Sequence, residues 1–208
     1  MERFSAGALC VQSVEPGPGR GTVRVCVSGR FIDISASYLP PEYAGAFLCP
    51  GAILDGDAEA ALRSAADCLS AEKAALRLIA RAEQCGAGIT RKLERRGHDP
   101  AAVRTVLARL LELKLVDDGR YAGLWLKSRV GRGKKGPRTL ETALRAKGID
   151  RETAVSALKE ALSGDAEADL LERCVKQAGP EVAGLRFFLK REGFSSGAIE
   201  TFFDDRPG

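Results

Sequence analysis

The chain has 208 residues, 45% of them apolar and 29% charged, an ordinary globular composition and enough length for one domain or two small ones. No stretch approaches the roughly 18 apolar residues of a membrane span. Met1–Val11 carries one Arg and a weak apolar run with no cleavage-like site after it, so neither a membrane helix nor a signal peptide is expected. The net charge of +4 conceals a division: residues 72–162 carry 21 Lys and Arg against 11 Asp and Glu, whereas 1–71 and 163–208 each stand at −3. A basic middle between mildly acidic ends suggests an anionic partner for the middle of a cytoplasmic protein.

The first forty residues read as β-structure. Thr22 to Val27 alternates, Ser28-Gly29 supplies a two-residue turn, and Arg30 to Ile34 follows. Pairing across that turn sets Val25 against Ile32 and Val23 against Ile34 on one face. An earlier strand, Ala8 to Val14, precedes the Pro-Gly loop Pro16–Gly21, giving an antiparallel sheet of two or three strands that must lean on a helix.

From Asp57 onward the pattern is helical, with Asp57 and Ser70 as N-cap candidates and Leu76, Ile79 and Ala80 as a stripe at helical spacing. A motif then recurs three times. With Gly97, Gly148 and Gly193 in register, Leu93, Leu144 and Leu189 stand four residues before and Ile89, Leu140 and Leu185 eight before. Asp99, Asp150 and Ser195 stand two after; Val103, Ala154 and Ile199 stand six after; Leu107, Leu158 and Phe203 stand ten after. A helix that ends on a left-handed Gly, followed two residues later by a new N-cap, accounts for every unit. Pro100 occupies the first helical position, where its missing N–H costs nothing.

A further helix opens each unit, at about 71–85, 118–130 and 165–178. The expected architecture is mainly α: three tandem three-helix repeats stacked as an elongated, curved rod, with a small N-terminal antiparallel hairpin or sheet. The boundaries are 1–56 for the hairpin and its connection, 57–117 for a lead-in helix and the first repeat, 118–163 for the second and 164–208 for the third.

Catalytic and metal chemistry find no support. Six cysteines are scattered without a C-x-x-C pair, and His98, the only histidine, is thirteen residues from the nearest Cys, so free thiols are expected and no metal or cofactor. His98 adjoins Gly97 and Asp99 as a helix–helix turn residue. Gly131-Arg132-Gly133 lacks the G-x-x-x-x-G-K-[ST] order of a phosphate loop and follows no strand. The chain is therefore expected not to be an enzyme.

The basic cluster carries more. Lys127, Arg129, Arg132, Lys134, Lys135 and Arg138 fall within twelve residues that contain no acid. Three glycines let the loop backbone approach a partner, and Gly136-Pro137 opens a helix whose free N–H groups would favour an anion. Arg91, Lys92, Arg95 and Arg96 make a second basic face on the preceding unit. Tyr121 and Trp125, four apart with Leu124 beside them, read as core packing.

The run Leu115-Val116-Asp117-Asp118-Gly119-Arg120-Tyr121-Ala122 resembles the L-(L/V)-D-D-x-(R/K)-(F/Y)-A signature of the RecX family of recombinase regulators. Ser128-Arg129, Gly136-Pro137-Arg138 and Leu144-x-x-Lys147-Gly148-Ile149 are similar to further motifs of that family, as is Ala75–Arg81 with Lys92-Leu93-x-x-Arg96-Gly97. The resemblance spans about 72–162. It implies a helical regulator that binds the RecA recombinase filament, touches the DNA backbone, and modulates, usually inhibits, ATP hydrolysis and strand exchange in homologous recombination and the SOS response. Nothing in the sequence demands a dimer, and a monomer is expected. On that reading the ten cations named above contact recombinase or DNA. A recombinase-independent DNA-binding repeat protein is the alternative. Three positions depart from the family pattern. Cys85 stands where a capping Ser is common and Gly88 where Glu is usual, which should weaken the start of that helix, and Lys135 replaces an aromatic residue before Gly-Pro.

Overall fold

The computed structural model describes residues 9–45, 49–179 and 184–204. Two compact units emerge: one runs to Arg81 and takes in Thr90–Leu113, and the other comprises Ala82–Ile89 and the chain from Lys114 onward.

In the first unit four antiparallel strands, β1 (Leu9–Pro16), β2 (Thr22–Val27), β3 (Arg30–Ser35) and β4 (Ile53–Leu54), lie in the order β3-β2-β1-β4. Val23 pairs with Ile34 and Val25 with Ile32, as the turn dictates. Ser28 and Gly29 both take positive φ, 49° and 78°, the backbone of a type I′ turn matched to strand twist. The first strand begins at Leu9 among the described residues; Ala8 lies outside them. The sheet has four strands and not two or three, because Ile53-Leu54 is too short to show an alternation. The β1–β2 register shifts between Val11 and Ser13, and the intervening Gln12 turns its Oε1 to accept from the Gly29 N–H at 2.7 Å. The bulge thus holds the hairpin turn.

After a 3₁₀ turn (Ala36–Tyr38) and the short α1 (Pro41–Ala44), the 24-residue α2 (Gly56–Ile79) covers the sheet. Ala58, Leu62 and Ala65 pack on Val11, Val25, Val27 and Ile34. Two capping expectations are corrected here. Asp55, not Asp57, is the N-cap, its Oδ1 accepting from the Ala58 N–H at 2.8 Å, while Asp57 sits in the first turn. Ser70 lies inside α2, so the lead-in helix and the helix expected at 71–85 are one element. The inward stripe at its end is Ala75 and Leu78; Leu76 is exposed. In α4 (Pro100–Glu112), Arg109 lies 3.7 Å from Glu72 and over the Tyr38 ring, tying α4 to α2 and the 3₁₀ turn.

Helix α3 (Gly86–Glu94) begins in the second unit and ends in the first. The second unit otherwise holds α5 (Asp118–Val130), α6 (Pro137–Ala146), α7 (Arg151–Ala161), α8 (Ala166–Ala178), α9 (Leu185–Glu192) and α10 (Ser196–Asp204). Its core joins Ala122, Leu126, Leu140, Leu144, Leu170, Leu189 and Phe194. Tyr121 and Trp125 pack against that core as expected, but Leu124 beside them is exposed.

The three glycines have φ of 84°, 95° and 102° at Gly97, Gly148 and Gly193. The next N–H bonds back to the repeat leucine each time: His98 to Leu93 O at 3.2 Å, Ile149 to Leu144 O at 3.2 Å, Phe194 to Leu189 O at 3.1 Å. This is the six-to-one bond of a Schellman cap. Asp99, Asp150 and Ser195 then accept from the N–H three residues on. His98 holds the turn position that Ile149 and Phe194 fill with core side chains.

Candidate functional site

The signature around Asp117 and Asp118 is first an architectural latch. Asp117 caps its own helix, accepting from the Arg120 N–H at 2.9 Å, and that bond holds its carboxyl below the usual range. Asp118 reaches a different helix and accepts from the Gly86 N–H at 2.8 Å, capping α3. Arg120 pairs with Glu83 at 2.7 Å and donates to the carbonyls of Lys114 and Leu115, both at 3.3 Å. Cys85 supplies no oxygen cap. It is buried, with Sγ 3.7 Å from the Lys147 carbonyl. The start of α3 therefore does not depend on Cys85 alone, since Asp118 supplies an acceptor from outside the helix.

The basic loop is pinned from below. Gly133 is buried at φ 62°, and a Cβ there would stand 2.7 Å from the Arg173 Cβ. The Arg132 carbonyl accepts from Gln177 Nε2 at 2.6 Å. Gly136 N–H donates to Glu192 O at 2.9 Å, Arg138 N–H to Gly193 O at 3.1 Å, and the Thr139 hydroxyl to Glu192 O at 2.7 Å. The expectation of free N–H groups at the start of α6 is thereby corrected: the last carbonyls of α9 take donors that would otherwise face an anion. Gly136 is required for that approach, because a Cβ on it would meet the Gly193 carbonyl carbon at 2.6 Å.

The cations of this loop do not share one environment. Lys135 Nζ lies 2.6 Å from Glu192 Oε2, so its charge is answered within the protein. Arg129 lies over the Trp125 ring at 5.2 Å, with Lys147 at 5.7 Å. Lys127, Arg132, Lys134 and Arg138 are exposed and meet no carboxylate among the described residues. On α3 and the turn after it, Arg91, Arg95 and Arg96 are exposed and Lys92 is half-buried, while Ile89 and Leu93 are fully buried. These four belong to the first unit and the loop to the second.

Among the described residues no three His, Cys, Asp or Glu side chains come together to hold a metal ion, and all six cysteines are unpaired. Sequence reasoning missed the Lys135–Glu192 pair and the seating of α6 on α9. The one available signal was a glycine facing a glycine across 57 residues, which no local pattern reveals.

Tandem three-helix repeats, closed by repeated Schellman turns and led by a small antiparallel sheet, define the class: a helical-repeat protein with exposed basic segments. Residues 71–110 match the family model described as RecX, first three-helix domain, and residues 117–158 match RecX, second three-helix domain. A protein named Regulatory protein RecX from Halorhodospira halophila is 39% identical over 137 residues, covering 61% of this chain and 81% of that one. Its namesake from Mycobacterium sp. (strain JLS) is 42% identical over 101 residues, covering 49% and 55%. A crystal structure of regulatory protein RecX superposes with a TM-score of 0.72 at 22% identity over 94% of this chain and 99% of that one. The RecX of Lactobacillus salivarius does so at 0.58 and 20% identity, covering 67% and 96%. The chain belongs to the RecX family.

Proposed function

We propose that this chain is a regulatory protein that binds the RecA recombinase on its DNA filament and inhibits ATP hydrolysis and strand exchange. The observation that carries the reading, beside family membership and its relatives' shared name of regulatory protein, is the pinned basic loop. Lys127, Arg132, Lys134 and Arg138 project from a backbone fixed at Gly133 and Gly136, so their charges are presented without the entropy cost of ordering a free loop. Phosphates or an acidic protein surface are the natural counter-charges. Arg91, Lys92, Arg95 and Arg96 add a second contact from the first repeat. The protein acts in the cytoplasm as a monomer, with the repeats 57–117, 118–163 and 164–208 engaging successive sites on the filament.

The test is charge reversal at Arg132, Lys134 and Arg138 together, sparing Lys135 because of its bond to Glu192. Recombinase ATPase inhibition should fall sharply while circular dichroism stays native. Unchanged inhibition by that variant overturns the site. Tight, sequence-selective duplex binding without the recombinase would instead support the alternative of an independent DNA-binding protein.

A further inference from the structure

Residues 163–208 carry a net negative charge, yet the exposed face of α9 is cationic and aromatic. Leu185, Phe188, Leu189 and Glu192 turn toward the core. Arg186, Phe187, Lys190 and Arg191 remain outside, and Phe187 is 74% exposed. Three and four residues on, Lys190 and Arg191 flank it on the same helical face. The one acid of α9, Glu192, is buried, bonded to Lys135 and 3.8 Å from Arg191 Nε, so the helix sets no exposed carboxylate on this face. Arg186 already stacks on Phe203 at 4.5 Å and Arg191 on Phe188 at 5.6 Å. On the inward-turned side of the same helix a groove of about 310 Å³, beside Phe188 and Glu192, runs to Lys134 and Lys135.

We infer that α9 is a stacking platform for unpaired bases of a single-stranded nucleic acid, with Phe187 taking a base face and Lys190 and Arg191 the flanking phosphates. A large exposed ring with cations three and four residues on has little to gain from water, whereas a base gives it a π-face and the attached phosphates answer the charges. Duplex bases present their edges to a protein and keep their faces stacked on one another, so the accessible partner is single-stranded. The inference extends the proposed function by assigning a third-repeat surface and a base contact.

The experiment uses the full chain and fluorescence anisotropy with labelled oligo-dT and an abasic strand of equal length. The wild type should prefer oligo-dT. Phe187→Ala should weaken oligo-dT binding roughly tenfold and leave abasic binding unchanged, and Phe187→Trp should restore it. Equal wild-type affinity for the two strands, no binding to either, or no effect of Phe187→Ala overturns the inference. Recombinase inhibition is scored separately. Its absence alongside a clear base preference removes the proposed function and leaves the platform standing; inhibition without base preference does the reverse.

Discussion

Lys135 Nζ and Glu192 Oε2 stand 2.6 Å apart, and the Glu192 side chain is only 10% exposed while the lysine reaches solvent. The pair fastens the basic loop to the last turn of α9, beside the backbone bonds from Gly136 and Arg138. Removing Lys135 would leave a buried carboxylate with only Arg191, at 3.8 Å, near it.

Lys135→Met is therefore expected to destabilise the second unit by about 1–3 kcal/mol, the range for losing a hydrogen bond to a charged group. The double variant Lys135→Met, Glu192→Leu should recover much of that loss, because an apolar pair leaves no charge stranded. Urea unfolding of both proteins measures it. A single variant as stable as wild type would show the pair to be worth nothing.

Glycine substitutions should split in sign. Gly136→Ala drives a Cβ into backbone, 2.6 Å from the Gly193 carbonyl carbon, and should cost at least about 2 kcal/mol. Gly123→Ala lies in α5 with nothing within 4 Å, and should stabilise by about 0.5–1 kcal/mol. Thermal unfolding of the two variants, read side by side, decides it.

The cap of α3 offers a coupled pair. Asp118→Ala removes the acceptor for the Gly86 N–H and should cost about 0.5–2 kcal/mol. A Cβ on Gly88 would lie 3.1 Å from Cys85 Sγ, so the sulfur sits where a cap oxygen would. Cys85→Ser should thus stabilise α3, and the cost of Asp118→Ala should shrink in that background. A double-mutant cycle showing strict additivity would refute the shared role.

Acid should weaken the caps selectively. Asp117 is held below the ordinary carboxylate range by the Arg120 N–H, and Asp150 by the Thr153 hydroxyl and N–H. Because both folded values are lowered, their contribution is complete above the unfolded value near about pH 4 and is lost as pH falls through the folded ones. Asn keeps the capping oxygen without the charge. The double variant Asp117→Asn, Asp150→Asn should be less stable than wild type at pH 6, and in urea titrations that gap should narrow progressively as pH falls below about 4.

Where a feature depends on neighbours in the chain, the residues announced it. The Ser28-Gly29 turn fixed the pairing of Val23 with Ile34 because a two-residue loop allows one register. The three Gly caps were readable because a left-handed residue and an N-cap two places later are local chemistry. Failure came where distance along the chain entered. Ser70 reads as a cap in isolation but is carried through by helix on both sides. Ile53-Leu54 became a strand only because Leu9 and Cys10 lie beside it. The amides of Gly136 and Arg138 looked free since their acceptors, Glu192 and Gly193, come from 56 and 55 residues away. The exposed cations of the loop were visible in the sequence; that Lys135 is spoken for was not.

The seating of α6 on α9 bears on where this protein can be shortened. A chain stopped after α7 would uncover the donors of Gly136, Arg138 and Thr139 and strip Phe194 from the core it shares with Leu144. The last forty-odd residues thus serve as a closing cover for what precedes them, and a natural or engineered variant lacking them would have to supply a replacement lid.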